Sequence, residues 1–483
     1  MPFLESLVAE RNRWQTSFHM PGHKGTLPLH PMLEDYLGGN PLPADLVEIN
    51  GIIDYLHSPK GALKEAQELA AQAYHADHTF FLINGSTVGN VGAVMSVSAA
   101  GQKVIVNRAS HRSVYGGLVL SGATPVYINP EYHPEVGFPL AVRASVIETL
   151  LQTHENVVAI HITSPNYYGV LSDTAAIRAV GHQHSAALLV DEAHGSHLSF
   201  HEGLPASAAQ LRADMVIQST HKTQGALTQG SMLHCNDNGL INLARVAQVL
   251  SLLQTSSPSS ILLASLDAAR MQMATQGHAL LGEIVALSQE ARAAIRAIDG
   301  LWCYGDDLIG TAGIHAYDPT KLIVRVTGIG YTGFEVYDKL RYEHGIDAEF
   351  SDLRQVIFSV TIGDTPASIN KLLNALRRIA EEKRPALEPA QEVAPPAMPR
   401  LVISPREAYF ATSRVVNIEE AVGEVVAENI IPYPPGIPLL VPGEVMEQAH
   451  LDYLRYIMRQ GSGVVGTEDK TVRTVRIVEN ITV

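Results

Sequence analysis

The chain has 483 residues, 46% hydrophobic and 17% charged, a balance that suits a folded, water-soluble protein and excludes a disordered one. That length exceeds one simple core, so two or three domains are expected. A formal charge of −15 without a Lys/Arg stripe argues against nucleic-acid binding and weakly favours encounter with a cationic ligand.

The N-terminus, MPFLESLVAERNRW, is charged and amphipathic and lacks the apolar core of a signal peptide. From about residue 79 to 235, short apolar runs alternate with helical patterns. Strands are predicted at 79–83, 103–106, 124–128, 157–162, 187–190, 215–218 and 231–234, with helices at 141–153 and 174–184 between them. Several strands are apolar almost throughout, as strands covered on both faces are. The pattern predicts an α/β fold with a mainly parallel seven-stranded sheet and helices on both faces. A long helix follows at 261–298, then a smaller α/β segment with strands at 321–326 and 356–362 and helices at 333–343 and 367–382. Residues 384–400 (RPALEPAQEVAPPAMPR) are proline-rich and read as a linker. The remainder from Leu401 is a third small unit containing the rigid run 431–438 (IPYPPGIP). The units are therefore 1–60, a large domain 61–300, a small α/β domain 301–384, a linker 385–400 and a C-terminal domain 401–483. The two cysteines, Cys235 and Cys303, are too few for a disulfide framework and fit a reducing cytosol. No window reaches the roughly 18 uncharged apolar residues of a membrane span, so a cytoplasmic protein with no membrane partner is expected.

Three strand ends carry chemistry. Lys222, in Ser219-Thr220-His221-Lys222, follows the strand MVIQ and precedes a small, flexible run. A lysine there is costly unless its charge has a partner or its pKa falls, and Schiff-base chemistry needs such a lysine. Alone, the tetrapeptide reads equally as a lysine reaching to water. Upstream, the apolar run Leu188-Leu189-Val190 ends in Asp191, followed by Glu192, Ala193 and His194. A carboxylate at the carboxyl end of a parallel strand sits where such sheets present ligand groups, and pyridoxal phosphate needs one to keep its ring nitrogen protonated. Asp191 could equally cap the next helix; Glu192 reads as pointing away, solvated or in a supporting position. Third, Asn84-Gly85-Ser86-Thr87 joins a strand to a helix beginning VGNVGAVM. Its glycine, hydroxyls and free amides make an anion site, or simply a helix cap. The order of anion turn, acid and lysine, each at a strand end, points to a pyridoxal-phosphate site. His111, after the strand KVIV, could stack on the ring, and His194 could address its phenolic oxygen or the substrate carboxylate. No H-E-x-x-H or paired Cys/His spacing occurs, so no metal is expected.

Together these residues resemble the Orn/Lys/Arg decarboxylase family over nearly the whole chain. The matching segments are 18–25 (FHMPGHKG), 48–51 (EING), 56–61 (LHSPKG), 84–90 (NGSTVGN), 191–195 (DEAHG), 219–222 (STHK), 255–259 (TSSPS), 330–333 (GYTG), 362–365 (IGDT) and 431–438. The resemblance implies fold type I, with Lys222 as the Schiff-base lysine, Asp191 on the pyridinium and His111 on the ring. It implies that Gly85, Ser86, Thr87, Ser219 and His221 hold the phosphate, with Ala193 beside the cofactor and His194 near the reacting centre. Glu349 matches the position of an acid that faces the substrate's distal cation. A homodimer or higher assembly with shared sites is implied, residues 1–60 contributing to the dimer and to the site and the 255–259 loop crossing to the partner. The chain resembles short members without a receiver-like N-terminal domain, often arginine decarboxylases, so arginine is the first substrate expected and lysine or ornithine the alternatives. It departs from the family at Ser260-Ile261, where an aromatic is common. An aminotransferase or carbon–sulfur lyase on the same fold, or a non-catalytic relative, are the rival readings; the last would have lost Lys222 or Asp191.

Overall fold

The computed structural model describes every residue except 14–15, 49–52, 133–136, 312, 386–395, 434–435 and 482–483. Seven strands form the main sheet: β1 (His78–Leu82), β2 (Lys103–Asn107), β3 (Thr124–Ile128), β4 (Val157–Thr163), β5 (Ala187–Asp191), β6 (Met215–Gln218) and β7 (Ser231–Cys235). Their spatial order is β1-β7-β6-β5-β4-β2-β3, and β7 alone runs antiparallel to its neighbours. All seven predicted strands are present, displaced by at most one residue at an end.

Apolar runs persist along these strands because both faces are covered. Val104 and Val106 pack with Leu189, Met215 and Ile217 beneath α1 (Gly85–Val97) and α2 (Arg112–Ser121). Ile105 points the other way, joining Ile160, Leu188, Val190 and Val216 beneath α3 (Ala144–Thr153) and α4 (Thr174–Gln183). The helix expected from residue 141 begins at Ala144, because the Val142 amide donates to Ser172 Oγ and Arg143 is extended.

The long helix α5 (Ser260–Arg296) ties the large domain to the small one. Near its start, Asp267 accepts from the amides of Phe3 and Leu4 in the first helix, Pro2–Arg11. Its last turns, with Ile284, Ala291 and Ile295, enter the small-domain core. That domain is a four-stranded antiparallel sheet of β8 (Trp302–Cys303), β9 (Lys321–Arg325), β10 (Phe350–Ser351) and β11 (Gln355–Ser359), in the order β10-β11-β9-β8, packed against α6 (Gly333–His344) and α7 (Pro366–Glu381). The strand expected to reach residue 362 stops at Ser359, since the Thr361 amide turns to Asp364.

The C-terminal unit has two small two-stranded sheets and two α-helices, Pro405–Phe410 and Gln448–Arg459. It is locked to the large domain by a buried bidentate ion pair between Arg108 and Glu444, at 2.6 and 2.7 Å, while the Arg108 guanidinium also donates to the carbonyls of Pro438 and Leu439. The linker expectation is corrected at its C-terminal end: Pro399 is buried, His450 donates to the Ala397 carbonyl, and the Val445 amide donates to that of Arg400. Residues 386–395 of that segment, 49–51 of the EING match and 434–435 of the proline run lie outside the described residues. No helix among the described residues is long and apolar enough to cross a membrane.

Candidate active site

Asp191 ends β5 and is buried, which charges a carboxylate heavily unless it is hydrogen-bonded. Its Oδ2 accepts from Asn90 Nδ2 at 2.8 Å and its Oδ1 from the Ala193 amide at 3.1 Å. The same Asn90 amide group donates to Ser113 Oγ, and its Oδ1 accepts from His161 Nε2 at 3.2 Å. Burial pushes His161 down to about 4, so it is neutral at physiological pH. Ser113 Oγ in turn meets His111 Nδ1 at 2.8 Å, and His111 caps the start of α2. Loss of hydration lowers the His111 pKa, the Asp191 charge working against that and Lys222 with it. Ala193 thus serves the acid through its backbone. Glu192 does point away from this cluster but is not solvated, which corrects that part of the expectation. Buried behind the sheet, it accepts from the Ala208 amide and from Gln218 Nε2, both at 2.7 Å, and burial raises its pKa to about 8.

Beyond β6, Ser219 caps the short turn Thr220–Thr223 that carries Lys222. Ser219 Oγ lies 2.7 Å from Ser86 Oγ, and Ser86 Oγ is 3.3 Å from Ser231 Oγ at the start of β7. Helix α1 begins at Gly85, three residues earlier than the sequence pattern placed it, so Ser86 and Thr87 lie in its first turn among amides without helical partners. Gly85 holds φ +70, a left-handed conformation that other residues rarely adopt. His221 Nδ1 donates to the Gly230 carbonyl at 2.8 Å, and loss of hydration lowers its pKa.

Lys222 projects into the open cleft, yet the surrounding protein strips enough water to lower its pKa; Asp191 opposes that shift and Lys321 adds to it. Its Nζ is 3.0 Å from His194 Nε2. His194 is buried, and burial, followed by the charges of Lys222 and Lys321, holds its pKa well below the usual value. Tyr167 meets the His194 ring edge-on, with centroids 5.3 Å apart. Glu349 stands exposed at the edge of the small domain, near enough to raise the pKa of both Lys222 and Lys321. The fold therefore brings Asp191, His111, His194 and Lys222 near one another, pairs Ser86 with Ser219, and leaves Thr87 and Glu349 exposed. The sequence reading missed Asn90, His161, Ser231 and Lys321.

This cluster fits pyridoxal phosphate. Thr220, next in the chain to Ser219, has its Oγ1 buried without a protein partner, and a side chain at Gly85 would meet nothing within 4 Å. Sequence spacing pointed to no metal ligands, but the fold places His201, Glu202 and His278 within 4.8 Å of one another. Glu202 and His278 are about three-quarters exposed and already pair at 2.9 Å, and the trio shares no residue with the cleft.

An α/β sheet presenting an acid, a strand-end lysine and a hydroxyl-rich helix start defines the fold-type-I class of pyridoxal-phosphate enzymes. The profile of the Orn/Lys/Arg decarboxylase major domain matches residues 1–368 and that of the family's C-terminal domain residues 389–471. The chain belongs to the Orn/Lys/Arg decarboxylase family and is an amino-acid decarboxylase. It is 41% identical to an arginine decarboxylase of Halalkalibacterium halodurans and 37% to one of Bacillus subtilis, covering 99% of this chain and 97% and 98% of those proteins. The lysine decarboxylase LdcF of Francisella novicida superposes with a TM-score of 0.84 at 20% identity, over 99% of this chain and 81% of that one, a likeness of fold.

Proposed function

We propose that this protein decarboxylates L-arginine to agmatine and carbon dioxide with pyridoxal phosphate bound at Lys222. The observation that carries the choice of arginine is identity near 40% along the whole chain to arginine decarboxylases, against 26% to a lysine and to an ornithine decarboxylase. When bound, the cofactor supplies an electron sink for the bond to the departing carboxylate. Ser86, Thr87, Ser219 and His221, with the amides of α1, hold its phosphate. Asp191, oriented by Asn90, keeps a proton on its ring nitrogen, and His111 covers its face. Lys222, with its lowered pKa, returns a proton to Cα. His194, whose pKa burial holds well below the usual value, hydrogen-bonds beside it. Glu349 receives the guanidinium of the substrate by a charge-assisted hydrogen bond.

A homodimer with shared sites, working in the cytoplasm, completes the reading. Phe18, Met20, Met32 and Tyr36 stand largely exposed in the single chain, an apolar surface that calls for a partner. The neighbouring 255–259 loop is anchored by His57, which donates to the Thr255 carbonyl at 2.8 Å. Carbon dioxide release by the purified protein with pyridoxal phosphate, from arginine, lysine and ornithine in parallel, tests the proposal. Arginine should lead in kcat/KM; a lead for lysine or ornithine overturns the substrate, and turnover that requires a keto acid overturns the reaction.

A further inference from the structure

Lys321 opens β9, where the sequence reads as an ordinary strand start. The structure leaves it 2% exposed, with no carboxylate in salt-bridge contact among the described residues. A cation so placed is costly, and a protein keeps one when it serves a purpose. The chain makes room for it deliberately. Gly169 holds φ +80 against the Lys321 stem, and a Cβ there would lie 2.7 Å from Lys321 Cγ. The Ser359 hydroxyl on β11 holds the ammonium, and Glu349 and Asp318 attract it from farther away.

The other neighbour of Lys321 Nζ is His194 Nδ1, at 3.5 Å. The imidazole therefore stands between two lysines, with Nε2 on Lys222 and Nδ1 on Lys321. A neutral imidazole has one donor and one acceptor, and an ammonium has donors only. Two ammonium groups cannot both be satisfied across that ring. Burial lowers Lys321 as it lowers Lys222, but Ser359 Oγ accepts a second hydrogen bond from Lys321 Nζ, whereas His194 is the one hydrogen-bond partner of Lys222 Nζ among the described residues, so Lys321 is the cation of the pair. Its N–H must then point at Nδ1, which leaves the His194 proton on Nε2, facing an unprotonated Lys222.

We propose that Lys321 is a positioning residue of this active site: acting through His194, it selects the imidazole tautomer that turns an Nε2–H donor toward Lys222 and toward the substrate atoms that later take that place. The proposal rests on the reading of Lys222 as the cofactor lysine. The groups facing Lys222 are Asp191, His194, Lys321 and Glu349; those facing His194 are Lys222, Lys321, His111 and His197. Both sets change by one cation when Lys321 is replaced.

The experiment compares Lys321→Met, which keeps the length and removes donor and charge, with Lys321→Gln, which keeps an N–H donor. In the holoenzyme, Lys321→Met should lower kcat by about 10- to 100-fold with KM moving by less than about threefold, and Lys321→Gln should recover much of that loss. In full-length protein before cofactor is added, the pH at which Lys222 becomes reactive to a lysine-directed acylating reagent, read by mass spectrometry, should rise by about one unit in both variants. In a His194→Asn background, Lys321→Met should cost nothing further in kcat. Wild-type kcat and an unmoved Lys222 midpoint in Lys321→Met overturn the proposal, as does an undiminished loss in the His194→Asn background. If Lys321→Met does not fold, Lys321→Gln carries the reactivity measurement alone, and an unmoved midpoint there is equally fatal. Borohydride reduction of the holoenzyme separates the two levels: cofactor attached at Lys222 with indifferent Lys321 variants removes this proposal alone, whereas cofactor attached elsewhere removes the reading beneath it.

Discussion

The two walls of the cleft are built differently. On the large-domain side, Asp191, Ser86, Ser219 and Lys222 end or follow strands of one sheet, and their partners, such as Asn90 on α1, belong to the same domain. On the small-domain side, Lys321 opens β9, Ser359 ends β11 and Glu349 immediately precedes β10 of a second sheet, all three near the same ammonium. On the proposed reading, the first wall would hold what every member of the fold class shares, a ring and a phosphate, and the second would meet the substrate, whose length and terminal group vary. Changes to the first wall should therefore disable the reaction whatever the substrate, and changes to the second should alter how substrate is held and protonated.

The largest effect belongs to the centre of the first wall. Lys222→Ala should lose at least about 10³-fold in kcat and all covalent attachment of cofactor, read by borohydride reduction and mass spectrometry. An active Lys222→Ala enzyme sinks the assignment of both walls. Asp191→Asn comes next. It keeps the hydrogen bond to Asn90 through a side-chain flip but removes the charge that holds the ring proton, and should cost about 10²- to 10³-fold in kcat for arginine, lysine and ornithine alike. A loss confined to one substrate would show that Asp191 belongs functionally to the second wall.

The difference between the walls also decides what the sequence made legible. Asp191 and Lys222 could be read because one ends an apolar strand and the other closely follows one, so neighbouring residues describe the environment of the side chain. Asn90 lay inside the NGSTVGN motif without a role, though a signal was present: it sits on the buried face of α1 with Val88 and Gly89, and a buried amide must have partners. Ser231 and His161 offered no such signal, because a serine opening a strand and a histidine within one are ordinary. Lys321 was illegible for a deeper reason. A lysine at a strand start reads as solvated, and what buries this one is Gly169, Ser359 and His194, none near it in the chain. The Arg108–Glu444 pair that docks the C-terminal unit was hidden in the same way. Local patterns specified the sheet and the residues it presents, and the contacts between domains needed the fold.

Glu349→Gln tests the second wall. Removing the carboxylate withdraws the partner proposed for the guanidinium, so KM for arginine should rise by about 10- to 100-fold while cofactor affinity stays within about twofold of wild type. Steady-state kinetics and a cofactor fluorescence titration on one preparation measure both. Weaker cofactor binding with an unchanged KM would place Glu349 among the cofactor contacts and erase the division between walls.

The smallest effect is expected from Ser86→Ala, because the phosphate site is redundant. Ser86 Oγ shares its place with Ser219 Oγ at 2.7 Å and Ser231 Oγ at 3.3 Å, and the free amides of α1 remain after the substitution. Loss of one neutral donor to an anion is worth about 1–2 kcal/mol, so the Kd for pyridoxal phosphate should rise by about 5- to 30-fold. At saturating cofactor, kcat should be unchanged, because Ser86 touches the anchor and not the reacting atoms. A fall in kcat at saturation would mean that the phosphate anchor also sets the tilt of the ring, and the large-domain wall would then be positioning the chemistry as well as holding the cofactor.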